Sequence, residues 1–395
     1  MTKSNPSNSR RRFIGKAGSA ILAATAAPTI LRGAHHENPR KLGMLIVGLG
    51  GYAKASIAPE IASCDHVTFA GVMTGDREKG RRYAAEYGFP EDAIYGYDEW
   101  DKVAADDRID YVHVTLPNNL HAEHSIAAAG AGKHVIVEKP MATTIDDCRA
   151  MIAAAKENDV LLGVNYRLQF EPHHQKAIEL ISNGTLGSLT NGNYEFSWSY
   201  SRALLDPKRR NAIKQWLLDP VATGGGALFD TGVYPIQAAC YLSGSQPVSV
   251  RGMAQTYHTD IYPEDVEETM AMELLFEDGF QALCRASYAH SFHQCTSVGP
   301  KGSVEILPGQ GGSVYGQSGN GKARPRVVVA NRKEHKFEDP LQQAVLHDEF
   351  AKAILAESKT FATPGEMGLR DIQIMKAIQA SAQKGGTLVE VDYEA

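Results

Sequence analysis

Cysteine is scarce in this 395-residue chain: Cys64, Cys148, Cys240, Cys284 and Cys295 form an odd, scattered set with no Cys-x-x-Cys pair. That spacing excludes a thiolate zinc signature and offers no disulfide framework, so the thiols read as buried core residues. The histidine pairs are no better placed for metal, because His173 with His174 and His290 with His293 lack the i, i+4 spacing and accompanying acid of a zinc helix. Positive charge is not in excess either. The formal net charge is −6 with both signs interspersed, which gives nucleic acid no basis as a partner. No internal repeat is visible, and low-complexity sequence is confined to Gly309 to Gly321, read as a surface loop. Within it, Gly316 to Lys322 has the glycine and lysine spacing of a phosphate loop. Ala323 stands where a magnesium-binding Ser or Thr belongs, and no strand-to-helix frame surrounds it. What remains is a 43% hydrophobic chain of a length that suits two globular domains.

The first residues differ from the rest. Ser9-Arg10-Arg11-Arg12-Phe13 precedes an uncharged, alanine-rich stretch from Ala17 to Leu31, and Ala24-Thr25-Ala26 offers a small-residue cleavage site. This is the pattern of a twin-arginine export signal, assigned to residues 1–34, and it predicts a periplasmic protein with no membrane span in the mature chain. An uncleaved anchor is the alternative, disfavoured by the short, alanine-dominated apolar run.

From 41 to 166 apolar runs alternate with amphipathic ones. Strands are expected at Leu42 to Val47, Val67 to Met73, Tyr111 to Thr115, His134 to Val137 and Leu161 to Val164. Helices are expected at Ile57 to Ser63, Arg77 to Tyr87, Ala122 to Ala131 and Ile145 to Asn158. The alternation predicts an α/β domain, a doubly wound parallel sheet of Rossmann type. From 167 to 395 strand-rich segments dominate, beginning with Gly187 to Tyr200, and helices at Leu341 to Ala356 and Pro364 to Gln383 close the chain. This predicts an α+β domain with a large, mostly antiparallel open sheet that binds substrate and mediates oligomerisation. A face of that size suits a homodimer or homotetramer.

Five motifs carry chemistry. Gly48-Leu49-Gly50-Gly51-Tyr52-Ala53 follows the first strand and precedes a helix, as a dinucleotide fingerprint requires: Gly48 for the tight turn, Gly50 for close approach of a pyrophosphate, Ala53 for helix–strand contact. At the end of the second strand, Thr74-Gly75 with Lys79 and Arg77 stands where NAD-specific proteins place an acid, which favours NADP over NAD. Asp76 would face the ribose instead if the strand ran further. Pro117, Asn118 and His121 follow the next strand at the same edge, with Asn119 read as a helix cap and His121 equally compatible with a helix surface. Glu138-Lys139-Pro140 ends the strand after that, which keeps the Lys139 side chain at the ligand-binding edge. In the second half Asp230 and Tyr234 lie four residues apart, on one face of a helix starting near Ala227. The tyrosine would donate or accept a substrate proton, a nearby lysine ammonium would favour its phenolate, and the aspartate would orient a sugar hydroxyl.

Together Gly48-Leu49-Gly50, Leu116-Pro117-Asn118, Glu138-Lys139-Pro140, Tyr166-Arg167 and Gly224-Gly225-Gly226 with Asp230 and Tyr234 resemble the Gfo/Idh/MocA oxidoreductase family over residues 41 to 395. Within it the chain is most similar to the glucose-fructose oxidoreductase branch, which has tyrosine where inositol-dehydrogenase-like members have histidine. The resemblance implies Lys139, Asp230 and Tyr234 as catalytic residues and Arg167 as a further substrate contact. Its cofactor residues would be Gly48, Leu49, Gly50, Gly51, Tyr52, Thr74, Gly75, Lys79, Pro117, Asn118, His121, Glu138 and Lys139, with Glu138 chiefly structural. It implies an NADP-dependent sugar oxidoreductase and, as its finer form, one that couples oxidation of one sugar to reduction of another on a retained cofactor. A simple sugar or polyol dehydrogenase and a non-catalytic nicotinamide-binding protein are the alternatives. The chain departs from the branch in having only Ala27 to Arg40 as an arm after the signal, and in the segment Asn191 to Arg210 around Trp198 and Tyr200, which should shape the sugar pocket.

Overall fold

The computed structural model describes residues 40–206, 208, 215–307, 327–338 and 341–394. The stretch expected to be an export signal, the arm after it up to residue 39, the basic residues Arg209 and Arg210 and the loop Gly309 to Gly321 lie outside the described residues.

The chain enters β1 (Leu42–Val47), passes through the glycine turn, and makes one π-helical segment (Ala53–Ile57) that continues as α1 (Ala58–Ile61). There follow β2 (Val67–Met73), α2 (Arg77–Tyr87), β3 (Ile94–Tyr95), α3 (Trp100–Ala104), β4 (Tyr111–Val114), α4 (His121–Gly130), β5 (His134–Val137), α5 (Ile145–Glu157) and β6 (Leu162–Val164). The six strands are parallel and lie in the order β3-β2-β1-β4-β5-β6. This is the doubly wound sheet expected. Every residue of β1 and β4 is buried, because the helices cover both faces of the sheet. Strand order reverses between β1 and β4, so the connections leaving these strands part and open a crevice at their carboxyl ends.

The second half begins with α6 (Pro172–Ser182), which was not anticipated although its start is legible. The Glu171 carboxylate accepts from the His174 N–H, and Pro172 occupies the first turn. Then come β7 (Asn191–Ser197), α7 (Tyr200–Leu205), a short turn of helix (Pro220–Thr223), and a second π-helical segment (Leu228–Gly232) running into α8 (Val233–Ser243). The strand expected up to Tyr200 therefore stops at Ser197. After β8 (Pro247–Gln255), β9 (Thr269–Phe276), β10 (Gln281–Ser287), β11 (Phe292–Gly299), β12 (Gly302–Leu307), β13 (Val327–Ala330) and β14 (Lys333–Lys336), the chain ends in α9 (Gln342–Leu355), α10 (Gly365–Gln383) and β15 (Val389–Glu390). The nine strands are ordered β14-β13-β12-β11-β7-β10-β9-β8-β15, antiparallel except for β7 with β10. One face packs on α8. The other alternates out to solvent: on β9, Met270, Met272, Leu274 and Phe276 are buried while Ala271, Glu273 and Leu275 are half-buried. All five cysteines are buried and unpaired.

The two closing helices bind the sheets together. Val164 and Thr363 exchange backbone and side-chain hydrogen bonds of 2.8 Å, and Pro364 bridges to Gly163 on the edge strand β6. Glu60, on α1, accepts from the Gln343 N–H at 2.7 Å and so caps α9 from outside. The Ser381 hydroxyl of α10 accepts from the Gly252 N–H of β8 at 3.0 Å.

Candidate active site

The glycine turn after β1 divides its glycines by purpose. Gly48 has φ of +95°, and a Cβ there would come within 2.7 Å of Leu116, so only glycine fits. A Cβ on Gly50 or Gly51 would meet nothing within 4 Å, which leaves the crevice above the turn open. Ala53 and Leu49 are both buried. The Gly48 N–H donates to the Met73 carbonyl at 3.0 Å, which ties the turn to the end of β2. An open cradle of backbone with a helix start beyond it fits a dinucleotide pyrophosphate.

At the end of β2, Thr74 is buried and its N–H donates to the Tyr95 carbonyl at 2.9 Å. The Asp76 carboxylate accepts from the Lys79 N–H at 2.9 Å and caps α2. It is occupied at the helix start, which settles the ambiguity in how far the strand runs. Gly75 is exposed beside the Tyr97 ring, 3.6 Å from the position a Cβ would take. Tyr97 escaped the sequence reading because it follows β3, a two-residue strand too short to leave a pattern.

The loop after β4 is fixed from both sides. Asn118 is buried and donates to the Thr223 carbonyl at 2.9 Å, reaching the segment just before the second glycine run. Pro117 is half-buried beside it. His121 is fully buried between two carbonyls, Pro140 at 3.0 Å and Leu116 at 2.9 Å, and burial lowers its pKa. It holds the loops after β4 and β5 together and does not present a free edge to the crevice. Asn119 lies inside a short 3-10 turn, and no side chain caps α4, so the capping role expected for it is not made.

Lys139, Asp230 and Tyr234 converge. The peptide bond before Pro140 is cis. Lys139 Nζ donates to the Asp230 carbonyl at 2.6 Å, lies 3.6 Å from its carboxylate Oδ1, and sits 4.8 Å from the centroid of the Tyr234 ring. Asp230 Oδ2 accepts from Trp198 Nε1 at 3.3 Å. Phe196 stacks on Tyr234 with centroids 4.7 Å apart. The cation at the tyrosine hydroxyl is Arg167, whose Nη1 donates to it at 2.8 Å, while Lys139 faces the ring. Arg167 is itself 4% exposed and held through Nε by Gln342 Oε1 at 2.9 Å.

The electrostatics follow from this crowding. Burial is the largest influence on Lys139 and acts to neutralise it, but Tyr234, Asp230 and Glu138 outweigh it and the net shift is upward. Burial likewise opposes the charge on Arg167, and Tyr234 and Tyr52 reverse that. Below them Glu138 is buried. Burial raises its pKa, and contacts with His113, Asn165 and Lys139 turn the net shift downward. His113 Nε2 lies 3.2 Å from Glu138 Oε1. On the second glycine run the reverse holds. Glu267 accepts from the N–H groups of Gly226 at 2.9 Å and Leu228 at 2.7 Å, yet burial dominates and its pKa is raised.

Sequence reasoning did not find Phe196, Gln342 or Gln343. Phe196 lies in a strand whose alternation looks like any other, and the two glutamines lie at a helix start far down the chain with no motif around them.

Residues 42–166 match the GFO_IDH_MocA oxidoreductase family with an NAD-binding Rossmann fold, and residues 174–314 match the GFO/IDH/MocA C-terminal domain. The crystal structure of aldose-aldose oxidoreductase from Caulobacter crescentus complexed with glycerol is similar with a TM-score of 0.79 and 34% identity, covering 89% of this chain and 100% of that one. The chain is also 28% identical over 353 residues to the NADP-dependent D-xylose 1-dehydrogenase of Haloarcula marismortui, covering 89% of this chain and 93% of that protein. It is 26% identical over 318 residues to the 1,5-anhydro-D-fructose reductase of Ensifer adhaerens, covering 80% and 88%.

Proposed function

The chain belongs to the Gfo/Idh/MocA family of oxidoreductases, and we propose that it oxidises and reduces sugars at a CH–OH carbon with NADP, with Tyr234 as acid and base. The observation that carries this is the Arg167–Tyr234–Lys139 cluster: a phenol hydroxyl 2.8 Å from a guanidinium, its ring faced by an ammonium, beside a glycine turn open to a nucleotide. Bound NADP supplies the hydride acceptor and donor. In the oxidising direction Tyr234, as the base, takes the proton of the sugar hydroxyl, with Arg167 at its oxygen and Lys139 at its ring. In the reverse direction its hydroxyl returns the proton to the developing alkoxide. Asp230, held by Trp198 and Lys139, accepts from a neighbouring sugar hydroxyl, and Lys139 steadies the reacting oxygen. Asp76 engaged as a helix cap, with Thr74, Lys79 and Tyr97 around Gly75, supports a 2'-phosphate at the ribose.

Coupled turnover, in which one aldose is oxidised and a second sugar reduced on a retained cofactor, is the finer reading. It is supported by the likeness to an aldose-aldose oxidoreductase and by the twin-arginine pattern, since export to the periplasm would remove the enzyme from a free nicotinamide pool. The likeness to an NADP-dependent xylose dehydrogenase favours the simpler one-sugar reaction. Purified protein should release NADP on denaturation, identified by mass spectrometry, and aldose alone should reduce that bound nucleotide. Cofactor-free protein that stays inert toward aldoses and ketoses even with NADP supplied would overturn the assignment, and activity strictly dependent on added nucleotide would leave only the simple dehydrogenase. Tyr234→Phe should lower kcat by about three orders of magnitude with nucleotide affinity unchanged.

The outer face of the nine-stranded sheet exposes Leu283 (51%) and Met253 (68%) among the pairs Arg251–Glu273 and Arg285–Glu195. We propose that a second copy covers this face, giving a homodimer or homotetramer. Leu283→Glu should shift the mass measured by light scattering toward the monomer.

A further inference from the structure

Gln342 and Gln343 open α9, and both side chains are buried, at 7% and 1% exposure. They face different parts of the site. Gln342 Oε1 accepts from Arg167 Nε, across 175 residues of sequence, and the same guanidinium donates through Nη1 to the Tyr234 hydroxyl. Gln343 donates through Nε2 to the Tyr52 hydroxyl at 2.7 Å and accepts at Oε1 from Asn165 at 3.1 Å. Glu60 caps the turn through the Gln343 and Ala344 N–H groups, at 2.7 and 3.4 Å. Tyr52 belongs to the glycine turn and Glu60 to the helix that follows it, so the first turn of α9 is bolted to the nucleotide-binding element on one side and holds Arg167 on the other.

We propose that Gln342 is a positioning residue for proton transfer: it fixes the plane of the Arg167 guanidinium so that Nη1 points at the Tyr234 hydroxyl, with Gln343, Tyr52 and Glu60 as its rigid mounting. An arginine side chain has many rotamers, and a charged donor meets a hydroxyl only when aimed at it. The Nε bond to Gln342 removes rotation about the last bonds of the side chain. A residue from the far end of the chain thereby sets how the Arg167 guanidinium meets the Tyr234 hydroxyl. The inference rests on the reading of Tyr234 as acid and base.

Two variants test it. Gln342→Met keeps the length and removes the acceptor, whereas Gln342→Glu keeps an oxygen at the same reach and adds a negative charge. The measurements are kcat and KM for aldose oxidation, and nucleotide affinity by fluorescence. For Gln342→Met, kcat should fall about tenfold with sugar KM and nucleotide Kd changed less than about twofold. For Gln342→Glu, the acceptor at Arg167 Nε is kept, so kcat should return to within about threefold of wild type. If Gln342→Met does not fold, Gln342→Ala takes its place. A kcat loss as large in Gln342→Glu as in the variant without the acceptor overturns the proposal, as does a loss in either variant that falls on KM or nucleotide affinity. If Tyr234→Phe is fully active, the acid–base reading itself fails. If Tyr234→Phe is inactive while both Gln342 variants behave as wild type, only the positioning role fails.

Discussion

Two runs of glycine border the same site and answer opposite needs. At Gly50 and Gly51 an added methyl meets nothing within 4 Å, whereas at Gly226 it would lie 2.0 Å from the Glu267 carbonyl, and at Gly224 and Gly225 it would lie within 3 Å of Phe229 and Gln379. The first run is bare so that something else can approach its backbone. The second is bare so that the protein can approach itself, bringing the segment before α8 flat against the chain at Glu267. The lesson is that a glycine-rich stretch is a statement about distance, and only the surroundings say whose.

The comparison predicts a separation of stability from binding. Gly226→Ala should have the largest effect, a loss of about 3 kcal/mol or more in unfolding free energy, because a backbone carbonyl cannot move aside as a side-chain tip can. Gly50→Ala should leave the melting temperature within a few degrees of wild type and weaken NADP about a hundredfold, read by fluorescence titration. Equal melting temperatures for the two variants would break the contrast.

Two buried carboxylates sharpen it, Glu138 next to Lys139 and Glu267 against the second run. Glu138 has its pKa lowered from 4.5 by the net of its contacts, so it contributes stability above that value that is lost as pH falls. Glu267 has its pKa raised from 4.5 by burial, so the native state holds its proton longer than the unfolded chain does and stability falls as pH rises through that window. Unfolding free energies measured from about pH 3 to 7 should therefore lose part of their acid-side decline in Glu138→Gln. They should lose an opposing slope in Glu267→Gln. The smallest effect belongs to Trp198→Phe, which removes a 3.3 Å donor from Asp230. It should raise the sugar KM about threefold, with nucleotide affinity untouched.

The sequence made the parallel sheet legible because its strands are buried on both faces: β1 has no polar side chain, β2 only Thr68 and β5 only its first residue, His134, and their limits come out as expected. β3 is two residues long and β14 is wholly polar, so nothing local marks them, whereas the Val-Val-Val-Ala run of β13 is a local strand signal that was missed. In the site, Lys139, Asp230 and Tyr234 were visible because each is attached to a local signal, a strand exit or a helical spacing. Arg167 was visible only as a substrate contact, and its bond to the Tyr234 hydroxyl depends on Gln342, a residue that periodicity cannot connect to it.

Pro364 against Gly163 has a consequence for how the molecule is made. The edge strand β6 leaves the ribosome some two hundred residues before the segment that seals it. α1 likewise waits for α9. The nucleotide-binding half is thus the first to be synthesised and among the last to be finished, so the growing chain carries an open sheet edge until its closing helices arrive. A chain halted before them would have every glycine of the cofactor turn and no rigid place to put it.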